Sequence, residues 1–148
     1  MKVAAHGLAV DTPRGWDARI YRRPQSEAGE LSHPIVHAAN FALPSVRGDF
    51  GSGAVDRMRR DDVLVVLLEF DQPSSRTTLF ANRGVPRPRS DDFHPTQLQR
   101  VLPGQSGGQW FFNTGDRAFC LYVVLGSHHR RARLVPQVHL LLDRLTIG

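Results

Sequence analysis

The chain has 148 residues, 41% hydrophobic and 22% charged, which fits one globular domain able to bury about 70% of its unfolded surface without disulfides or metal. It contains neither a run of about 18 apolar residues nor a charged n-region followed by an apolar stretch, so the expectation is a soluble, cytoplasmic protein with no membrane association. The net charge is +5, and of nineteen basic residues only Lys2 is a lysine.

That charge raises the question of nucleic acid. Along the sequence the arginines are scattered (Arg14, Arg22-Arg23, Arg47, Arg57, Arg59-Arg60, Arg83, Arg87, Arg89, Arg130-Arg131) and form no stripe interleaved with aromatics. Nucleic acid is therefore not the expected partner, although the field can attract an acidic one.

In chain order, Val3 to Val10 reads as a strand. Asp11-Thr12-Pro13-Arg14-Gly15 supplies turn formers, and Trp16 to Tyr21 alternates Trp16, Ala18 and Ile20 against Asp17 and Arg19, so the expectation is a hairpin. Arg23 to Pro34 is polar and aperiodic and reads as a loop. In the strand Ile35 to Leu43, Ile35, His37, Ala39 and Phe41 share one face, and Val36, Ala38, Asn40 and Ala42 the other. A helical turn is expected at Gly53 to Met58. Val63 to Phe70 is a continuous, β-branched-rich run of the kind buried on both faces of a sheet.

Asp71 to Gly108 holds half of the prolines and is the least regular part, with Leu98 to Leu102 as its expected core contact. Gln109 to Asn113 and Ala118 to Gly126 are strands joined by Thr114-Gly115-Asp116-Arg117, where Gly115 supplies the positive φ of a hairpin. A terminal helix is expected from about Arg133 to Leu145. Its stripe of Leu134, Val138, Leu141, Leu142 and Leu145 is the face presented to a core, with Pro136 placed in the first turn, where its missing N–H costs nothing.

Chemical signatures are weak. Gly104-Gln105-Ser106-Gly107-Gly108 matches the G-x-S-x-G elbow literally, but Pro103 precedes it and a strand follows, so it reads as a glycine-rich turn. Gly48-Asp49-Phe50-Gly51-Ser52-Gly53 lacks the lysine of a phosphate-binding loop. His128-His129 are adjacent and neither H-E-x-x-H nor paired Cys/His spacing occurs, so no metal site is expected. His33 and His37 flank Pro34 and share no helix face. Asp61-Asp62 and Asp91-Asp92 are consecutive pairs suited to connectors and caps. Cys120 lies within an apolar run and reads as a small buried hydrophobe.

Gly15-Trp16 opening an N-terminal strand, Arg117-Ala118-Phe119 leading into an apolar strand that ends at Gly126, and a terminal amphipathic helix ending in Leu145-Thr146-Ile147 together resemble the Mog1/PsbP-like α+β fold. The pattern is also similar to that of uncharacterised short actinobacterial proteins. The resemblance covers most of the chain and implies a binding scaffold without naming a partner.

The fold class expected is thus α+β, a single domain over residues 1–148 with an antiparallel sheet packed against a C-terminal amphipathic helix. The absence of a coherent catalytic set favours a non-catalytic binding or adaptor module with no cofactor. It would recognise a protein partner through Trp16, Arg83, Arg87, Arg89, Asp91 and Asp92. The alternative is a small-molecule-binding protein or enzyme with a pocket between sheet and loops, lined by His37, Asn40 or Cys120. Ile35 to Leu43, uncharged with neutral His37, is the least protected candidate edge strand and leaves a homodimer and a monomer near balance, leaning to the dimer.

Overall fold

A computed structural model describes residues 1–23 and 32–148, so most of the loop expected between Arg23 and Pro34 lies outside the described residues. Among these, eight strands form two antiparallel sheets beside one α-helix, an α+β fold.

The N-terminal run does not form one strand. It breaks at His6-Gly7 into β1 (Lys2–Ala5) and β2 (Leu8–Asp11), a two-residue hairpin whose turn residues have φ of 56° and 76°. Positive φ at both central residues is what a type I′ turn requires, and it matches the twist of the flanking strands. β2 then pairs with β8 (Leu145–Ile147) to complete a three-stranded sheet. The hairpin expected across Asp11–Gly15 is therefore not a pair: β3 (Asp17–Tyr21) instead joins β4 (Ile35–Ala39).

The larger sheet has the order β3-β4-β5-β7-β6, with β5 at Val63–Phe70, β6 at Ser106–Asn113 and β7 at Ala118–Leu125. Successive side chains of β5 and β7 feed two separate cores. Val63, Val65, Leu67, Phe119, Leu121, Val123 and Leu125 face the helix, whereas Leu64, Val66, Leu68, Cys120, Tyr122 and Val124 face a layer of loops. Period-two alternation is hidden in these runs because both faces are buried. The loop layer brings Phe41, Phe50, Met58, Leu98 and Leu102 onto the second core, and the helical turn expected at Gly53 to Met58 is one 3₁₀ turn, Val55–Arg57.

β4 lies between β3 and β5, so it is not an edge strand, and the homodimer reading built on its exposure loses its basis. It also stops short of Leu43. The Asn40 side chain leaves the ladder, its Oδ1 accepting from the Val63 N–H at 2.8 Å and its Nδ2 donating to the Asp61 carbonyl and Gln137 Oε1, each at 2.9 Å.

α1 spans Arg131–Leu142, two residues earlier than expected at its start and three at its end. Leu134, Val138, Leu141 and Leu142 are buried as the stripe requires. Leu145 is not helical: with Ile147 it faces the same core in β8, at the strand period of two. Leu145 sits at a spacing that satisfies both periods, and pairing with Val10 decides between them. Pro136 is the sixth helical residue, beyond the first turn, and sits on the exposed side, leaving one carbonyl of the first turn without its intrahelical donor.

Candidate functional site

The two edges of the larger sheet are β3 and β6. Along β6, Gly107 exchanges backbone hydrogen bonds with His94 at 2.9 and 3.0 Å. At the other end the Asn113 N–H donates to the Asn82 carbonyl and its carbonyl accepts from Gly84, both at 2.8 Å. Residues 107 and 113 therefore turn their backbone polar groups away from β7, and by the alternation of an antiparallel ladder so do Gln109 and Phe111. Among the described residues nothing pairs with the N–H and C=O groups of those two. A window of unpaired strand edge is left between two closed ends, because the chain from residue 85 to 93 crosses toward the helix, where Phe93 packs on Trp110 with ring centroids 5.5 Å apart.

A groove of about 410 Å³ runs beside this window. Its floor is Gln109, Trp110 and Phe111, and its wall is Leu79 with the segment from Asn82 to Pro86. The wall is anchored by Phe80, which is 4% exposed and packs edge-on against Phe111 at 5.5 Å, and by Asn113 Nδ2, which donates to the Phe80 carbonyl at 2.6 Å. Leu79 and Val85 are 58% and 39% exposed and give this wall an apolar surface. Arg83 stands at the rim and, among the described residues, makes no ion pair.

Of the six residues expected to meet a partner, only Arg83 lines this groove. Arg87 pairs with Asp143 across to the helix, and the Asp92 carboxylate caps a 3₁₀ turn by accepting from the Arg89 N–H at 2.8 Å, next to exposed Asp91. Trp16 precedes β3, at the opposite edge of the sheet, and packs on the helix-side core. The six therefore do not form one surface. Leu79, Asn82, Val85, Gln109 and Phe111 escaped sequence reading because edge status depends on strand order; the irregular proline-containing loop before an aromatic strand was the available signal.

The alternative trio is spent on internal bonds. His37 is fully buried. Arg47 Nε donates to its Nδ1 at 2.9 Å, so Nδ1 carries no proton and Nε2–H donates to the Asp49 carbonyl at 2.8 Å. Burial, with the Arg47 charge adding, pushes the imidazole down to about 4. The Asp49 carboxylate, which burial would raise, is held below its ordinary range by hydrogen bonds from Arg23 and Tyr21, and the Tyr21 phenol is pushed up to about 12 by burial and Asp49. The network fastens the loop around Asp49 over the second core. Asn40 closes the end of β4, and Cys120 is buried, its thiol raised by burial and its Sγ accepting from Gln109 Nε2 at 3.2 Å. His37 and Asn40 do fall on opposite faces of the sheet, as their parity requires.

Two further constellations look chemical and are structural. Ser106 Oγ lies 2.8 Å from His128 Nδ1, but Ser106 is fully buried in β6, where no substrate reaches it. Arg117 grips Glu69 with two hydrogen bonds, at 2.6 and 2.9 Å, and donates to the carbonyls of His6, Gly7 and Gly148. It stitches the small sheet to the large one and forms one wall of a polar cleft of about 440 Å³.

Among the described residues no group of three or more His, Cys, Asp or Glu side chains could hold a metal ion, and no helix is long and apolar enough to cross a membrane. Comparison of the chain with models of known protein families, with curated proteins and with solved structures finds no match.

Proposed function

We propose that the protein is a non-catalytic binding module that captures an extended, acidic segment of a partner protein along the open edge of β6. The observation carrying this reading is the window at Gln109 and Phe111, unpaired between two ends that the protein's own chain closes. A visiting strand gains main-chain hydrogen bonds there, and alternate side chains enter the groove between Leu79, Val85 and the β6 backbone. Arg83 at the rim and the net charge of +5 select for carboxylates on the visitor.

The test is selection of ten-residue peptides from a displayed library, followed by titration against variants. Gln109→Pro removes one free N–H without touching the ladder to β7, since proline is tolerated where the N–H faces outward. Selected peptides should alternate apolar residues with Asp or Glu and bind this variant and Arg83→Glu roughly tenfold more weakly, with folding intact; one main-chain hydrogen bond is worth about 0.5–1.5 kcal/mol. Peptides that bind Gln109→Pro and the wild type equally would refute the edge as the docking site.

A further inference from the structure

The arginines scattered in the sequence are not scattered in the fold. The segment before β5 and the turn between β7 and α1 meet at one end of the large sheet. The Gly126 N–H donates to the Asp62 carbonyl at 2.8 Å, and a Cβ on Gly126 would lie 1.8 Å from the Arg59 carbonyl oxygen. Only glycine permits that approach, and it sets the segment carrying Arg57, Arg59 and Arg60 against the turn that leads to Arg130, Arg131 and Arg133. Arg57, Arg59, Arg60 and Arg133 are exposed. The three aspartates here are engaged: Asp61 with Arg130 at 2.6 Å, Asp56 with Arg100 at 2.5 Å, and Asp62 accepting from the Arg59 N–H at 2.7 Å. Arg57, Arg59, Arg60, Arg131 and Arg133 make no ion pair among the described residues.

This concentration is unfavourable to the fold itself. Arg131 and Arg133 occupy the first turn of α1, which carries no acidic residue, so like charges crowd the positive end of the helix dipole. The Asp61 carboxyl is held below its ordinary range by the hydrogen bond from Arg130, with the charges of Arg133 and Arg60 adding. Arg130 is held by Asp61 and Arg131 donates to the His128 carbonyl at 2.9 Å, but the remaining charge has no acidic partner, an arrangement expected where an external anion completes it.

We infer that this end of the molecule binds the phosphate backbone of double-stranded nucleic acid, irrespective of sequence. Guanidinium forks match phosphate oxygens in a bidentate manner, which suits a patch made entirely of arginine. Residues 56–62 and 126–133 contain no Phe, Tyr or Trp to form a stacking platform for unpaired bases, and of the two histidines there His128 is held by Ser106, so duplex is favoured over single strand, and the patch presents no apolar wedge for a bilayer. The surface lies at the opposite end of β7 from the Arg83 groove and is independent of it.

The test is fluorescence anisotropy with a labelled DNA duplex of about 20 base pairs in two unrelated sequences, titrated over a salt series. Both sequences should bind equally. Raising salt from about 50 to about 200 mM should weaken binding about 500-fold, a slope of about −4.5 for about five neutralised phosphates. Arg59→Ala/Arg60→Ala and Arg131→Ala/Arg133→Ala should each lower the slope by about 2 without lowering the melting temperature, whereas Arg76→Ala/Arg83→Ala should leave the slope as it is. Failure of the duplex to bind at about 50 mM salt overturns the inference, as does equal weakening by the Arg76/Arg83 pair. Binding to phosphatidylserine vesicles without binding to duplex overturns it in favour of an anionic membrane surface.

Discussion

Replacing His37 by glutamine should flatten the acid side of the stability profile. In the native state His37 is neutral, with Nδ1 accepting from Arg47 and Nε2–H donating to Asp49, so a second proton has no place without turning two donors on each other. Its pKa falls from 6.5 to about 4, a folded value below the unfolded one. The unfolded chain therefore takes up the proton first. Stability from this group is complete above pH about 6.5, declines as pH falls through that value, and is fully lost below pH about 4, at about 1.4 kcal/mol per unit and about 3 kcal/mol in all. Glutamine offers the same donor and acceptor without titrating. Urea denaturation between pH 7.5 and 4 should show a decline about 3 kcal/mol smaller in His37→Gln than in the wild type. His128, also lowered but on the surface, contributes equally to both proteins and cancels. Parallel pH profiles for the two, or an NMR titration of the His37 ring near 6.5, would refute the reasoning.

Leu141→Ala removes a fully buried side chain from beneath α1 and should cost about 2–5 kcal/mol by chemical denaturation. Arg117→Ala leaves Glu69, only 12% exposed, without its cation and frees the carbonyls of His6, Gly7 and Gly148; a loss of about 3 kcal/mol is expected, with faster hydrogen exchange in β1, β2 and β8 before the large sheet is affected. Gly126→Ala should destabilise the basic end, because the new methyl group meets the Arg59 carbonyl, and should weaken duplex binding together with stability. Cys120 should react with thiol reagents only at the rate of global opening, since it is fully buried and its thiol is raised; fast labelling of the folded protein would contradict its placement.

Periodicity alone gave the class, α+β, along with the buried centre of the sheet at Val63–Phe70 and Ala118–Leu125, the turn at Gly115 and the apolar face of the terminal helix. These are decided by short-range repetition of apolar residues, which the chain carries in its order. The parity of β4 was legible for the same reason, since His37 and Asn40 cannot share a face whatever the sheet does. What the order could not carry was which strand lies beside which. The break at His6-Gly7 and the strand at Leu145–Ile147 exist because each supplies a partner to Leu8–Asp11, and β4 is central because β3 pairs with it and not with the N-terminal hairpin. The two proposed sites follow from such long-range choices. β6 has an open edge only because β7 takes its other side, and the two arginine-bearing segments meet only because Gly126 lets residue 59 approach. A linear pattern records local propensity, whereas edges, grooves and charge clusters are properties of neighbours brought together across the chain.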